Sequence, residues 1–428
     1  MMTQIESARS GGVTQAMQCV AADEHVAPEA VRDAVARGSA VIPANPAHAN
    51  LRPAGVGRLL RTKINANLGR STDTSSIENE LAKLRLALDA GADFVMDLSV
   101  GTDLTALRRA MLEASTVPLG TVPLYETLNR CGGDVARLEA DVLLSVIRDH
   151  AEQGVDFMTL HAGLLRRHVS LAVRRRMGIV SRGGAIMAEW MADRDRENLL
   201  YERWDEVMDI CRRHDVTVSL GDGLRPGCLA DASDAAQFAE LDVLGELVRR
   251  CRDAGVQVMV EGPGHVPLNE IQMNMEREQE VCDAAPFYVL GPVVTDVAPG
   301  YDHITSCIGA TLATQYGASL LCYVTPAEHL GLPTCDDVRQ GVMAYRIAAH
   351  AGDVGRGHPG AREWDDAMAD ARIRFDWRRQ FELALDGDEA RRRHAGTEDD
   401  FCTMCGRDFC AMRTSTRLRR KEEGGAPS

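Results

Sequence analysis

The feature that most constrains the fold is a pattern that repeats eight times between about residue 90 and residue 330 of this 428-residue chain. Each repeat has a short apolar run rich in β-branched residues, then a polar or glycine-rich turn, then a stretch with helical periodicity. The starts of the runs lie roughly 20 to 40 residues apart, which is the length that a strand, a helix and two loops need. The eight runs begin at Phe94, Thr116, Asp156, Met177, Asp215, Gly255, Phe287 and Ala318. The pattern therefore predicts an α/β protein built on a closed parallel (β/α)8 barrel.

An open, doubly wound sheet is the alternative arrangement of the same units. It would spread the ends of its strands along an edge, whereas a closed barrel gathers them at one mouth. Nearly every run ends in side chains able to bind or react: Asp97, Tyr125, His161, Ser181, Arg182, Asp222, Arg225, Glu261, His265, Asp296, Glu328 and His329. So many polar side chains at strand ends are best explained by one shared site. Because only a closed barrel brings all of them together, this pattern favours the barrel.

The composition predicts three regions along the chain. Residues 1–75 form an appended N-terminal region of short helices, with a proline-rich connector at residues 41–57. Residues 76–335 form the barrel. Residues 336–428 form a helical C-terminal segment, in which residues 336–353 and 364–386 are two candidate amphipathic helices ahead of a cysteine cluster.

The charge of the chain limits the classes of molecule that it can bind. A formal net charge of -15 and a pI near 5.3 argue against nucleic acid, and the densest basic run, Arg174 to Arg176, is typical of a solvated helix face. The N-terminus has no apolar leader, and no stretch has the 18 or so apolar residues that span a membrane. We therefore expect a cytoplasmic protein with no membrane partner, in which the nine scattered cysteines outside the C-terminal cluster are reduced thiols.

Three cysteines lie close together near the C-terminus, in the run FCTMCGRDFC. They are Cys402, Cys405 and Cys410. A 4Fe-4S cluster is normally held by four thiolates, so three thiolates predict a cluster with one iron open to a small molecule. Zinc is the alternative metal, with His394 or a distant cysteine as its fourth ligand.

Two histidines at strand ends form a second candidate metal site. His265 in EGPGHVP and His329 in TPAEHLG follow the sixth and eighth runs, so a barrel would bring both imidazoles to the same mouth. His303, next to Asp302, is a rival ligand. The other interpretation is that each histidine is a core residue or a helix cap.

Two glycine-rich turns predict a phosphorylated substrate. SRGG at residues 181–184 and GDGLRPG at residues 221–227 each place an arginine among glycines, where backbone amides and a guanidinium can bind phosphate together. The alternative is that the glycines turn the chain and the arginines pair with carboxylates. Asn65 and Asn67 in KINANLG suit hydrogen bonding to a neutral polar ring, although asparagine is also common in loops.

Together these motifs resemble one family, the phosphomethylpyrimidine synthases. The resemblance covers residues 60–412 in order. It rests on TKINANLG, MDLS, GTVPLY, EQGVDFMTLHAG, GIVSRGG, SLGDGLRPG, VEGPGHVPL, APFYVLGPVVTD, APGYDHIT, CYVTPAEHLGLP and the final C-x2-C-x4-C. It implies a barrel with an appended N-terminal domain, a C-terminal cluster segment and a homodimer.

The resemblance also implies a radical reaction in thiamine biosynthesis. A 4Fe-4S cluster on Cys402, Cys405 and Cys410 would receive an electron from a donor and reduce S-adenosylmethionine, and the resulting radical would start the conversion of aminoimidazole ribotide to hydroxymethylpyrimidine phosphate. His265 and His329 would hold zinc or iron. The implied substrate contacts are Asn67, Met96, Tyr125, His161, Ser181, Arg182, Gly183, Asp222, Gly223, Leu224, Arg225, Glu261 and Tyr288.

Two other functions stay open at this point. Related enzymes that make 5-hydroxybenzimidazole for cobamides share most of the motifs, and this chain departs from the usual pattern at Arg70 and at residues 99–102, beside Met96. An inert barrel whose cysteines hold zinc is the non-enzymatic alternative.

Overall fold

The structure is a computed structural model that describes residues 2–71, 76–394 and 401–423. It contains two compact units, Met1–Arg356 and Gly357–Ser428. The strands are β1 Ala40–Val41, β2 Val56–Gly57, β3 Lys63–Leu68, β4 Phe94–Asp97, β5 Leu119–Thr121, β6 Phe157–Leu160, β7 Thr217–Leu220, β8 Val258–Gly262, β9 Phe287–Leu290 and β10 Ala318–Cys322.

The helices of the first unit are α1 Gln4–Arg9, α2 Gln15–Glu24, α3 Pro28–Arg37, α4 Ile77–Asp89, α5 Leu104–Ala114, α6 Pro123–Arg130, α7 Ala140–Gln153, α8 Arg166–Ala172, α9 Arg182–Arg194, α10 Leu199–Glu202, α11 Trp204–His214, α12 Ala235–Asp253, α13 Ile271–Val281, α14 Asp302–Tyr316 and α15 Cys335–Gly355. The helices of the second unit are α16 Ala361–Ile373, α17 Trp377–Leu383, α18 Gly387–Arg393, α19 Gly406–Phe409 and α20 Ala411–Glu422. None of the helices in the described ranges is both long and apolar enough to cross a membrane.

Strands β3 to β10 close into a barrel in which every neighbouring pair is parallel and β10 pairs with β3. The predicted fold class is confirmed, and the open sheet is wrong. The strands are buried along nearly their whole length, because helices cover the outside and side chains fill the inside. Closure aligns Asn67 with Met96, and Glu261 with Tyr288, so residues far apart in sequence share one level of the barrel.

One of the eight predicted strands is wrong, and a different segment takes its place. The run at Met177 forms no strand, because it crosses the surface between α8 and α9 with Met177 and Val180 exposed. The missing strand is β3, which alternates polar Lys63, Asn65 and Asn67 with apolar residues. Its polar residues have partners inside the barrel unit, so this segment pairs as a strand although its asparagines suggested a loop.

The N-terminal region packs on the end of the barrel where the strands begin. Helices α1 to α3 and β1 share a small apolar core of their own. Polar contacts then join this region to residues just ahead of barrel strands. The Asn45 amide donates to Asp156 at 2.9 Å, the Ile42 amide donates to Gln257 at 2.8 Å, and Lys63 Nζ lies 2.8 Å from Glu24. This layer seals the base of the barrel, so the site must lie at the opposite end.

The C-terminal helices differ in part from the prediction. The first candidate, residues 336–353, is confirmed as α15, which packs on α14 within the first unit. The second candidate, residues 364–386, is two helices, because Phe375 adopts a left-handed φ of 57° between α16 and α17. The predicted region boundaries at residues 75 and 335 stay predictions. The first strand of the barrel, β3, lies before residue 75, in the region assigned to the N-terminal part.

Candidate active site

A cavity of about 460 Å³ lies at the mouth of the barrel where the strands end. Eight of the thirteen predicted substrate residues line it: Asn67, Met96, Tyr125, His161, Asp222, Arg225, Glu261 and Tyr288. Arg182 lines a wider outer cavity of about 1220 Å³, which also borders Asn67, Tyr125 and Arg225. The other four, Ser181, Gly183, Gly223 and Leu224, lie in the two glycine-rich turns beside these side chains.

A chain of hydrogen bonds fixes one wall of the inner cavity. Asn65 Nδ2 donates to the Tyr288 hydroxyl at 2.7 Å and to Asn67 Oδ1 at 2.8 Å. Asn67 Nδ2 then donates to the sulfur of Cys322 at 2.9 Å, and the Tyr323 hydroxyl donates to the Asn67 carbonyl. Burial raises the pKa of Cys322 to about 12, so the sulfur is a thiol at neutral pH. Both asparagines are therefore structural parts of the site wall.

Glu261 is held at the centre of the cavity by two hydroxyls. Thr159 Oγ1 donates to Glu261 Oε1 at 2.6 Å and Ser219 Oγ donates to the same oxygen at 3.0 Å. Burial raises the pKa of Glu261, while these hydrogen bonds and the charge of Arg225 oppose the rise. The carboxyl group is thus oriented before any ligand arrives.

His161 is a neutral ring in the same cavity. Burial, and then the charge of Arg225, lower the pKa of His161 to about 3. Among the described residues, its Nδ1 atom has no hydrogen-bond partner. A buried polar atom without a partner at a cavity wall suits a ligand hydrogen bond.

The SRGG turn forms the start of α9. The Ser181 hydroxyl accepts from the Gly184 amide at 3.2 Å and caps the helix, so the first-turn amides point outward from the helix end. A Cβ atom on Gly183 would lie 2.4 Å from the His161 ring, and one on Gly184 would lie 2.2 Å from the Gly223 carbonyl oxygen. The two glycines therefore allow the start of α9 to pack closely against His161 and Gly223.

The GDGLRPG turn carries Asp222 and Arg225, which pair at 3.0 Å. Burial raises the pKa of Asp222 to about 7. The predicted alternative, an arginine paired with a carboxylate, thus holds here, although both side chains also line the cavity. Arg182 instead lies over the ring of Tyr125, with its guanidinium carbon 4.9 Å from the centroid.

Six lining residues were not among the residues predicted from the sequence: Leu98, Val122, Thr159, Gly262, Leu290 and Cys322. Thr159 and Cys322 lie near the ends of β6 and β10, so their position was a usable signal. The basic run at residues 174–176 was also misjudged, because the side chain of Arg175 is 2% exposed and pairs with Asp234 at 2.6 Å.

His265 and His329 come together, with ring centroids 5.3 Å apart. Nδ1 of His265 lies 2.9 Å from Asp296, and Nδ1 of His329 lies 3.3 Å from Asp302. A carboxylate on Nδ1 leaves Nε2 as the lone-pair donor, which is the usual arrangement of metal-binding histidines. His329 also has a left-handed φ of 61°, a conformation that is uncommon outside glycine and asparagine.

The three C-terminal cysteines lie around α19 in the second unit. Cys405 is the N-cap residue of this helix and Cys410 is its C-cap residue. The Gly406 amide donates to the Cys402 carbonyl at 3.1 Å. All three are free thiols, and thiols are the ligands of iron-sulfur clusters. Within the described ranges, however, no three His, Cys, Asp or Glu side chains are gathered around one point.

Comparison with known proteins agrees with this chemistry. The model of the Radical SAM ThiC family matches residues 3–417. The chain belongs to this family. A phosphomethylpyrimidine synthase from Natronomonas pharaonis is 59% identical over 99% of this chain and 90% of its own length. One from Halobacterium salinarum is 58% identical over 98% of this chain and 89% of its own length.

A solved dihydropteroate synthase from Xanthomonas albilineans is 14% identical and covers 74% of this chain and 100% of its own, with a TM-score of 0.44, a likeness too weak to bear on fold or activity. Membership of the Radical SAM ThiC family implies that the chain is an enzyme that uses S-adenosylmethionine and a 4Fe-4S cluster on a small-molecule substrate.

Proposed function

We propose that this chain is a phosphomethylpyrimidine synthase, which converts aminoimidazole ribotide to hydroxymethylpyrimidine phosphate for thiamine biosynthesis. The observation that carries the proposal is the convergence of eight expected substrate residues on one cavity, in a chain whose full-length relatives bear that name. The relatives give no support to 5-hydroxybenzimidazole as the product or to an inert zinc protein.

The two glycine-rich turns supply the groups for the phosphate of the ribotide. The first-turn amides of α9 carry the positive end of a helix dipole, and Arg182 and Arg225 border the same space. A phosphate dianion next to Asp222 favours the protonated form of that carboxyl group, whose pKa of about 7 makes protonation cheap near neutral pH. Phosphate binding can therefore proceed without a buried anion pair.

The remaining wall suits a polar ring and a ribose. Glu261, fixed by two hydroxyls, can accept hydrogen bonds from the ribose hydroxyls or the exocyclic amine. Neutral His161 can donate or accept one hydrogen bond without adding charge. Met96 and Tyr288 are both buried and supply apolar surface for the ring.

Cys402, Cys405 and Cys410 would hold the cluster, and the donor set fits because three thiolates leave one iron free for S-adenosylmethionine. When bound, these groups supply one-electron cleavage of S-adenosylmethionine, which generates a carbon-centred radical. The outer cavity, about 1220 Å³, has room for a second ligand of nucleoside size beside the inner one.

His265 and His329 would hold zinc or iron through Nε2, with Asp296 and Asp302 fixing the rings. An external electron donor, a homodimer and a cytoplasmic location complete the proposal. These three, and the absence of nucleic-acid and membrane partners, stay predictions from the sequence.

The test is anaerobic incubation of the reconstituted protein with aminoimidazole ribotide, S-adenosylmethionine and a reductant, followed by mass spectrometry. We expect hydroxymethylpyrimidine phosphate, and little product from Arg225→Ala. The matched control is Arg250→Ala, because Arg250 pairs with Asp205 on the outer surface. A benzimidazole product, or a colourless protein that binds only zinc, would overturn the proposal.

A further inference from the structure

We propose that Glu240 and Arg175 are positioning residues for the substrate phosphate, acting through the backbone of residues 222–225. This inference rests on the proposed function, because it takes the ribotide as the ligand. The segment of residues 222–225, called here the phosphate loop, carries both Asp222 and Arg225. Neither Glu240 nor Arg175 lines the inner cavity, so any effect of these residues on substrate must pass through the phosphate loop.

Glu240 holds the phosphate loop by one of its amides. It lies on α12 and is 2% exposed, and its Oε2 atom accepts from the Leu224 amide at 2.7 Å. Burial, and then the charge of Asp222, raise the pKa of Glu240 to about 8, so the group is mostly protonated at neutral pH. It therefore accepts hydrogen bonds without placing a full negative charge behind the anion site.

Arg175 holds the same loop by its carbonyls. Its Nη1 atom donates to the Leu224 carbonyl at 2.7 Å, while Nε and Nη2 donate to Asp234 at 2.8 and 2.6 Å. The bidentate pair with Asp234 fixes the plane of the guanidinium, and burial prevents it from turning toward water. A lysine at this position has no fixed planar group with which to reach both partners in this geometry.

The two contacts restrain Leu224 from both sides of its backbone. Its amide donates to Glu240 and its carbonyl accepts from Arg175, so the residue between Gly223 and Arg225 cannot rotate freely. Gly223 and Leu224 have no polar side chains, so these two hydrogen bonds add to the burial of the Leu224 side chain in ordering the loop. The direction in which Arg225 enters the cavity is therefore set by residues 15 and 50 positions away in sequence.

Unlike Glu278, Glu240 shares a small space with side chains of the site. Among the described residues its Oε1 atom has no hydrogen-bond partner, and it borders an inner space of about 340 Å³ shared with Asp222, Arg225 and Glu261. Glu240 thus lines this space together with three residues that also line the inner cavity. This places it as a direct support of the site.

The test is calorimetric binding of aminoimidazole ribotide, and of the riboside that lacks the phosphate, to the cluster-free protein. Glu240→Ala leaves the buried Leu224 amide without its acceptor, and we expect the ribotide to bind roughly tenfold or more weakly while riboside binding changes little. Glu240→Gln keeps a neutral acceptor and should bind the ribotide within about threefold of wild type. A role in stability alone would not separate the two ligands.

The matched control is Glu278→Ala. Glu278 is also fully buried, also has its pKa raised to about 8 by burial, and also has one oxygen without a partner among the described residues, but it lines neither cavity at the mouth. It should leave the ratio of ribotide to riboside affinity unchanged. Arg175→Lys tests the same loop if Glu240→Ala does not fold, and it should lower that ratio in the same direction.

The inference is overturned if folded Glu240→Ala, or Arg175→Lys in its place, binds the ribotide as wild type does, or loses both ligands equally. It is also overturned if Glu278→Ala reproduces the selective loss. A wild-type protein that binds no ribotide would refute the proposed function itself and remove the basis of the inference, so the two failures are distinguishable.

Discussion

Replacement of Gly184 by alanine should separate two segments that together hold the phosphate. A Cβ atom at this position would lie 2.2 Å from the Gly223 carbonyl oxygen and 2.8 Å from two other backbone atoms of Gly223. Real Cβ atoms essentially never come closer than 3.0 Å. The start of α9 and the phosphate loop must therefore move apart by roughly 0.8 Å, since neither contact involves a flexible side chain.

The expected effect on stability is small and the expected effect on function is large. Alanine is about 0.8–1.0 kcal/mol more favourable than glycine in a helix, and overpacking costs about 1–3 kcal/mol, so the net loss in the free energy of unfolding is about 0–2 kcal/mol. A displacement approaching 1 Å among substrate-positioning groups can cost on the order of 100-fold in rate. We therefore expect a melting temperature lower by a few degrees at most, with ribotide binding and kcat/KM reduced on the order of 10- to 100-fold.

The assay combines thermal unfolding, calorimetric ribotide binding and anaerobic turnover of the same preparation. Gly355→Ala is the control, because a Cβ atom there meets only the side chain of Gln315, at 3.4 Å. If Gly184→Ala binds and turns over the ribotide as wild type does, the close approach of α9 to the phosphate loop has no part in positioning the substrate.

Three further outcomes follow from the site. Cys410→Ala should lose iron, sulfide and the brown colour on anaerobic reconstitution, whereas exposed Cys335→Ala should keep them; equal iron in both would exclude the C-terminal cluster. His161, with a folded pKa of about 3 against an unfolded value near 6.5, stabilises the protein above pH 6.5 and loses that contribution as the pH falls toward 3. Between pH 6.5 and 5, the free energy of unfolding of the wild-type protein should fall by about 1–2 kcal/mol more than that of His161→Gln, as measured by denaturant titration. An unchanged pH dependence in the variant would contradict the neutral ring. Asp296→Asn should weaken zinc binding about 10- to 100-fold in competition with a chromogenic chelator, because it disturbs the Nδ1 partner of His265; an unchanged affinity would argue against these histidines as ligands.

The departures from the usual family sequence have a structural account. The Arg70 amide donates to the Ser99 hydroxyl at 3.1 Å, and the Val100 amide donates to the Arg70 carbonyl at 3.1 Å. The unusual residues therefore contact one another, and Arg70 and Val100 line the outer cavity that Arg182 and Arg225 also border.

Much of this protein could be predicted from the order of its residues. Repeated apolar strands followed by helices have few compact solutions, so the barrel followed from pattern alone, and the polar strand ends then had to meet at its mouth. The cysteine spacing and the glycine-rich turns are local signals, because the residues that act together are neighbours in sequence. The substrate residues came from the family resemblance, and eight of the thirteen border one cavity.

The tertiary structure decided the environment of those residues whose partners are distant in sequence. β3 is a strand because Asn65 and Asn67 find acceptors on β9 and β10 across the closed barrel, and no local pattern separates such a strand from a loop. Arg175 is buried because Asp234 and the phosphate loop surround it, although its neighbours in sequence suggest a solvated face. A charged side chain can be buried only where its charge and hydrogen bonds are satisfied, and that condition is met in space, by residues that the sequence leaves far apart.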